Sequence, residues 1–198
     1  MSDQTIIIAL DGPSGVGKTS LINQLRGLFK SRGYCCDAVA NNEVALLQSA
    51  IRAYASDASL RYPLALLTAA ARGVIRAKSE GPIILCDRGV LSTLVLQGFS
   101  GVPMDYLYAV NLPLIDDTVF VLLELPEDIL RARREGRNRV DDDWFKRNLS
   151  INEEITRYRD AVAFLASRGH KVHTVSVMGS VTEAADTILN AVIKELKD

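Results

Sequence analysis

Asp11-Gly12-Pro13-Ser14-Gly15-Val16-Gly17-Lys18-Thr19-Ser20 is the stretch that decides the fold. Glycine, four residues, glycine, lysine and threonine make the phosphate-loop pattern, here with a strand-like run before it and a helical run after it. Glycines are required because main-chain N–H groups must point inward around phosphate oxygens, at dihedrals and distances that a Cβ obstructs. Lys18 supplies a mobile positive charge, and the Thr19 hydroxyl can ligate magnesium. The helix opening near Lys18 turns its partial positive end toward the same anion. Gly12, Ser14, Gly15, Val16, Gly17, Lys18, Thr19 and Ser20 are therefore the expected phosphate contacts, with ATP and Mg2+ as the expected cofactors.

Outward from the loop, β-rich runs at Thr5–Leu10, Cys35–Ala40, Ile83–Cys86, Thr118–Leu123 and Lys171–Val177 alternate with helical stretches. The runs are apolar at nearly every residue, the pattern of strands covered on both faces. That predicts an α/β fold of three layers: a five-stranded parallel sheet flanked by helices. Gly33 ends a helix from Lys18 to Lys30, and Gly81-Pro82 stops another from about Pro63 to Ser79. Pro126, Glu127 and Asp128 open a third, because proline suits the first turn and acids favour the positive end of the dipole. Ile151, Ile155, Tyr158, Val162 and Leu165 form an apolar stripe on a helix ended by Gly169, which predicts core packing.

Bulk properties narrow the function. With 198 residues and 48% hydrophobic composition the chain suits a single domain, 1–198, and no repeat or linker divides it. A net charge of −1 provides no overall field for nucleic acid. Three cysteines are too few for a disulfide framework, which fits a reducing compartment. Met1 to Gln4 lack a signal pattern and Ile6 to Leu10 is too short for a bilayer, so a soluble, cytoplasmic protein is expected, with neither membrane nor nucleic acid as partner.

The apolar run Ile83 to Cys86 ends in Asp87-Arg88, which places a carboxylate at the carboxyl end of the sheet beside the loop, where it can hold magnesium. Motor ATPases often follow this aspartate with a glutamate that activates water; arginine here suits an anionic acceptor better. No Asn-Lys-x-Asp stretch marks a guanine-specific switch. A kinase therefore outranks both. Further on, Arg131, Arg133, Arg134, Arg137 and Arg139 fall within nine residues. In a phosphoryl-transfer enzyme such a segment closes as a lid, here about 131–143, and neutralises charge on the transferring group. Gly136 lets it bend. A nucleic-acid patch would want interleaved aromatics, and Asp141, Asp142 and Asp143 oppose it.

With these elements in register the chain resembles the thymidylate kinase family of P-loop kinases over nearly its whole length. The matching stretches are Asp11 to Ser20, Leu66 to Arg72, Cys86-Asp87-Arg88 with Ser92-Thr93 and Gln97-Gly98, Leu123 to Pro126, and the arginine segment with its long helix. The resemblance implies that Lys18, Thr19 and Asp87 serve ATP and the metal, and that Asp11 lies near the acceptor phosphate. It implies Arg72, Ser92, Thr93 and Gln97 at the acceptor and Arg88 at the reacting phosphates. Within the lid it assigns Arg131 to the donor and Arg133 and Arg137 to the transferring phosphoryl group. A homodimer is implied by the resemblance alone.

The departures sit on the acceptor side. In place of the family's Arg-Glu-Pro-like element stand Ala40-Asn41-Asn42-Glu43-Val44, and Asn42 cannot replace the arginine's charge. Thr68 stands where the family stacks an aromatic on thymine, a contact worth roughly 1–3 kcal/mol. Gly89 and Leu96 stand where tyrosines are common. The expectation is an ATP-dependent phosphotransferase acting on a nucleoside monophosphate, dTMP foremost, or a related small molecule. The alternatives are a kinase for the hydroxyl of an unrelated metabolite and a nucleotide-binding regulatory module without catalysis.

Overall fold

The computed structural model describes residues 5–40, 54, 57–78, 82–136 and 148–195. In chain order these form β1 (Ile6–Asp11), α1 (Lys18–Ser31), β2 (Cys36–Ala40), α2 (Arg61–Lys78), β3 (Ile83–Asp87) and α3 (Val90–Phe99). There follow α4 (Met104–Ile115), β4 (Thr118–Glu124), α5 (Glu127–Glu135), α6 (Ile151–Ala166), β5 (Val172–Ser176) and α7 (Val181–Glu195). All five strands are parallel, in the order β2-β3-β1-β4-β5. The three-layer α/β fold read from the sequence is the one observed.

Although β4 is apolar from Val119 to Leu123, its side chains still alternate between faces. Val119, Val121 and Leu123 join Leu25 and Phe29 of α1 and Leu189 and Val192 of α7 in one core. Phe120 and Leu122 join Leu91 and Leu94 of α3 and Tyr158 and Leu165 of α6 in the other. Burying each such large side chain contributes about 1.5–3 kcal/mol, so two filled faces hold the sheet rigid beneath the site.

Each predicted strand is present with ends within about one residue of those expected, a scatter normal for strand and helix boundaries. The differences matter at two positions. Asp11 and Asp87 are the last residues of β1 and β3, not the first residues after them. In register, Leu10 lies opposite Asp87 and Asp11 opposite Leu122, so both carboxylates end neighbouring strands at the carboxyl edge but on opposite faces, Asp87 toward Thr19 of α1 and Asp11 toward Ser92 of α3. Helix α2 begins two residues before Pro63, which sits in its first turn.

Helices α3, α4 and α7 had no marked signal in the sequence. Helix α3 buries Val90 to Val95 on all sides, Ser92 and Thr93 included, and an element without an exposed polar face shows little 3.6-residue contrast. Helix α4 carries Pro113, a residue that argues against a helix, but only in its last turn. Among the described residues no helix is long and apolar enough to cross a membrane. Asn42, Arg137, Arg139 and the Asp141 to Asp143 run lie outside the described residues.

Candidate active site

The phosphate loop links the end of β1 to the start of α1. At Gly12, with φ 143°, an added Cβ would sit 2.6 Å from the Leu123 carbonyl oxygen, so the loop lies flat on β4 only as glycine. Gly17 stands at the N-cap of α1 without a side-chain cap, which leaves the helix's first amides to face an anion. Lys18 is buried, and its Nζ donates to the carbonyls of Gly12 at 2.7 Å and Pro13 at 3.0 Å. Burial, seconded by Arg88, lowers its pKa to about 7, against the opposing pull of Asp87, Glu154 and Asp11.

On the metal side, Thr19 Oγ1 donates to Asp87 Oδ2 at 2.9 Å. Asp11 Oδ1 accepts from the amides of Gly89 at 2.8 Å and Ser92 at 3.0 Å, and from Ser92 Oγ. Its second oxygen, Oδ2, is buried without a partner. An orphaned carboxylate oxygen invites a cation, and a hydroxyl with carboxylate oxygens is a hard donor set suited to Mg2+. Among the described residues no cluster of three or more His, Cys, Asp or Glu forms a dedicated cage. Magnesium fits that scarcity, because it keeps waters and phosphate oxygens as ligands.

Two of the residues expected at the acceptor, Arg72 and Thr93, meet at Gly89. Its carbonyl accepts from Arg72 Nη2 at 2.8 Å and Thr93 Oγ1 at 3.4 Å. Arg72 also donates through Nη1 to Asn111 Oδ1 at 3.2 Å. Arg88 adopts φ 77°, a left-handed backbone costly for a side-chain-bearing residue, and its Nη1 lies 3.5 Å from the Tyr158 hydroxyl. Thr68 Oγ1 donates to the Leu64 carbonyl at 2.7 Å and accepts from Gln97 Nε2 at 2.9 Å. Since the Thr68 proton is committed to Leu64, Gln97 must present its NH2 to Thr68. Its carbonyl oxygen is then the free end, and it is buried without a partner.

The described part of the lid divides its arginines. Arg131, expected at the donor, pairs with Glu127 at 2.6 Å, both side chains exposed. Arg133 Nη1 donates to the Val16 carbonyl at 3.2 Å, and Arg134 Nε to the Ser14 carbonyl at 2.9 Å. Arg134 also pairs with Glu154, which accepts from the Ser14 amide at 3.2 Å. A cavity of about 300 Å³ opens between Gly17, Ser20, Arg133 and the turn from Val177 to Val181, beside the loop. Glu154, Tyr158, Asn111 and that turn went unmarked in the sequence. Tyr158 read as one member of an apolar stripe, and only its being the single hydroxyl-bearing residue of the stripe could have singled it out.

The sequence profile of the family described as Thymidylate kinase matches residues 10–188. The chain is 24% identical over 211 residues to the thymidylate kinase of Bacillus velezensis, covering 97% of this chain and 98% of that protein. It is 28% identical over 177 residues to the thymidylate kinase of Geobacillus thermodenitrificans, covering 81% and 78%. Over 159 residues it is 28% identical to the probable thymidylate kinase of Caldivirga maquilingensis, covering 76% and 77%. A match that starts at the end of β1 and runs into α7 takes in the phosphate loop, both strand-end carboxylates and the helices between them, and the chain belongs to the thymidylate kinase family of ATP-dependent nucleotide kinases.

Proposed function

We propose that the chain transfers the γ-phosphoryl group of ATP to dTMP, with Mg2+ as the metal. The observation that carries this is the convergence of Lys18, Thr19, Asp87 and Asp11 on one edge of the sheet, facing Arg72, Arg88 and Gln97. The free carbonyl of Gln97 suits an acceptor base that offers an N–H, as the thymine imide does; cytosine has an acceptor nitrogen there. Thr19 and Asp87 would hold magnesium, which supplies charge neutralisation on the phosphates. Lys18 would exchange its loop carbonyls for donor phosphate oxygens, and Arg133 of the lid would cover the transferring group. Arg137 and Asn42 are assigned to the lid and the acceptor phosphate on family resemblance, as is the reading of 1–198 as one domain with its lid at about 131–143.

Turnover is the test. MgATP with dTMP should give sustained ADP formation, and Lys18→Ala should lower kcat by at least about 100-fold. A parent enzyme inactive with dTMP, or a Lys18→Ala variant within a few-fold of the parent, contradicts the proposal. One observation favours a second reading. Thr68 is tied to Gln97, so no aromatic platform stands at that position, and a non-aromatic acceptor is compatible. A melting screen separates the two, since a ligand at about 100 times its Kd adds roughly 2.7 kcal/mol. A cytoplasmic homodimer belongs to the same proposal, supported by the apolar face of Leu66, Leu67 and Val74, each about half exposed on α2. A monomeric mass by light scattering would remove that part.

A further inference from the structure

Helix α6 delivers two side chains, one turn apart, to opposite halves of the site. Glu154 reaches the donor half. Its Oε1 accepts from the Ser14 amide of the phosphate loop at 3.2 Å, and its Oε2 pairs with Arg134 of the lid. Arg134 closes the triangle by donating to the Ser14 carbonyl at 2.9 Å, so the two peptide units that flank Ser14 in the loop are both held. Glu154 is 4% exposed, where an unsatisfied carboxylate would be costly.

Tyr158 reaches the acceptor half, and the polarity of its bonds can be worked out. Ser92 Oγ donates to the Asp11 carboxylate. Its proton is therefore committed, and in the 2.9 Å contact between Ser92 Oγ and the Tyr158 hydroxyl the tyrosine must donate. The tyrosine oxygen is left to accept from Arg88 Nη1. The relay runs one way: Arg88 N–H to Tyr158 O–H to Ser92 O–H to Asp11. It joins the residue expected at the reacting phosphates to the carboxylate expected near the acceptor phosphate. Burial raises the Tyr158 pKa, so the hydroxyl keeps the proton that the relay needs.

We propose that Glu154 and Tyr158 are positioning residues for phosphoryl transfer, a two-point brace through which one rigid helix sets the phosphate loop and lid in register with Arg88 and Asp11. Neither touches a reacting atom. In-line transfer depends on the distance and alignment of donor and acceptor, and a misplacement of about 1 Å can cost about 100-fold in rate. A helix that grips both halves removes that freedom before substrate arrives. The proposal rests on phosphoryl transfer at this site and not on the identity of the acceptor.

Kinetics on the full chain with MgATP and dTMP test it. Tyr158→Phe deletes one hydroxyl and keeps the ring. Its kcat should fall at least about tenfold while KM for both substrates stays within about threefold and the melting temperature stays near the parent's. Glu154→Gln, which keeps an oxygen for Ser14 but drops the charge, should give the same split. The double variant should lose less than the product of the single losses, because groups acting as one unit are not additive. A kcat within about twofold of the parent in Tyr158→Phe, a loss expressed in KM alone, or single losses that multiply, overturns the brace. If Tyr158→Phe does not fold, Glu154→Gln alone is judged by the same kcat and KM criteria. A parent inactive with dTMP refutes the acceptor assignment only; slow MgATP hydrolysis by the same variants then decides the brace.

Discussion

Gly89→Ala should cost more than any other single methyl added to the acceptor side. Gly89 has no need of a left-handed backbone, so the reason for glycine is space. An added Cβ would stand 2.5 Å from Ala9 Cβ and 2.9 Å from Asp11 Oδ2. Favourable carbon–carbon contact lies near 3.5–4.0 Å, so the shortfall is about 1 Å. Ala9 has no χ angle to rotate and sits on the central strand β1, fixed by β3 and β4 on either side. Overpacking costs about 1–3 kcal/mol, and two rigid partners put this site at the top of that range. For a domain of this length each kcal/mol lowers Tm by roughly 2–4 °C, so calorimetry should show a loss of roughly 6–12 °C. Turnover should fall too, because the crowding pushes on Asp11, the carboxylate expected near the acceptor phosphate. Gly27→Ala is the control: nothing lies within 4 Å of its Cβ inside α1, and the exchange should stabilise by roughly 0.5–1 kcal/mol. A Gly89→Ala protein that melts within about 2 °C of the parent refutes the packing argument.

Lys18 makes stability depend on pH in the opposite sense to a paired lysine. Its folded pKa of about 7 lies below the ordinary 10.5. Between those values the unfolded chain binds the extra proton, so stability rises with pH across that window and the full burial penalty is felt below it. Urea titrations should show a rise of up to roughly 5 kcal/mol that Lys18→Met flattens, and parallel curves for the two proteins would rule the effect out. Thr68→Val should leave Gln97 Nε2 buried without its acceptor, costing about 1–3 kcal/mol and raising KM for dTMP; an unchanged Tm would mean that the pair does not form. Thr68→Phe, which the family pattern alone would recommend for thymine stacking, should also break that pair, so its dTMP affinity should gain less than a full stacking contact. Equal or greater gain would show that Gln97 does not depend on Thr68.

Gly89 shows how the structure adds a second reason for a residue that the sequence had already singled out. Its place in a position where relatives hold tyrosine reads as a sign of an altered acceptor. Packed against Ala9 and Asp11, it reads as a steric requirement of this chain's own sheet edge. Arg131 and Arg134 make a similar pair: both belong to one arginine run, but helical phase sends Arg131 to Glu127 and solvent, and Arg134 to Ser14 and Glu154. Composition cannot distinguish them.

By itself the sequence determined the phosphate loop, the five strands to within about a residue and the parallel three-layer class. These depend on local rules: glycine where amides must converge, unbroken apolar runs where both faces are covered, proline and glycine where helices start and stop. Only the tertiary structure decided what completes the site. Glu154 meets Ser14 across 140 residues, and Tyr158 meets Ser92 across 66. Contacts of that range leave no periodicity in the chain, because they arise where separate elements pack, and the strand order and helix phase that bring them together are settled by the whole core at once.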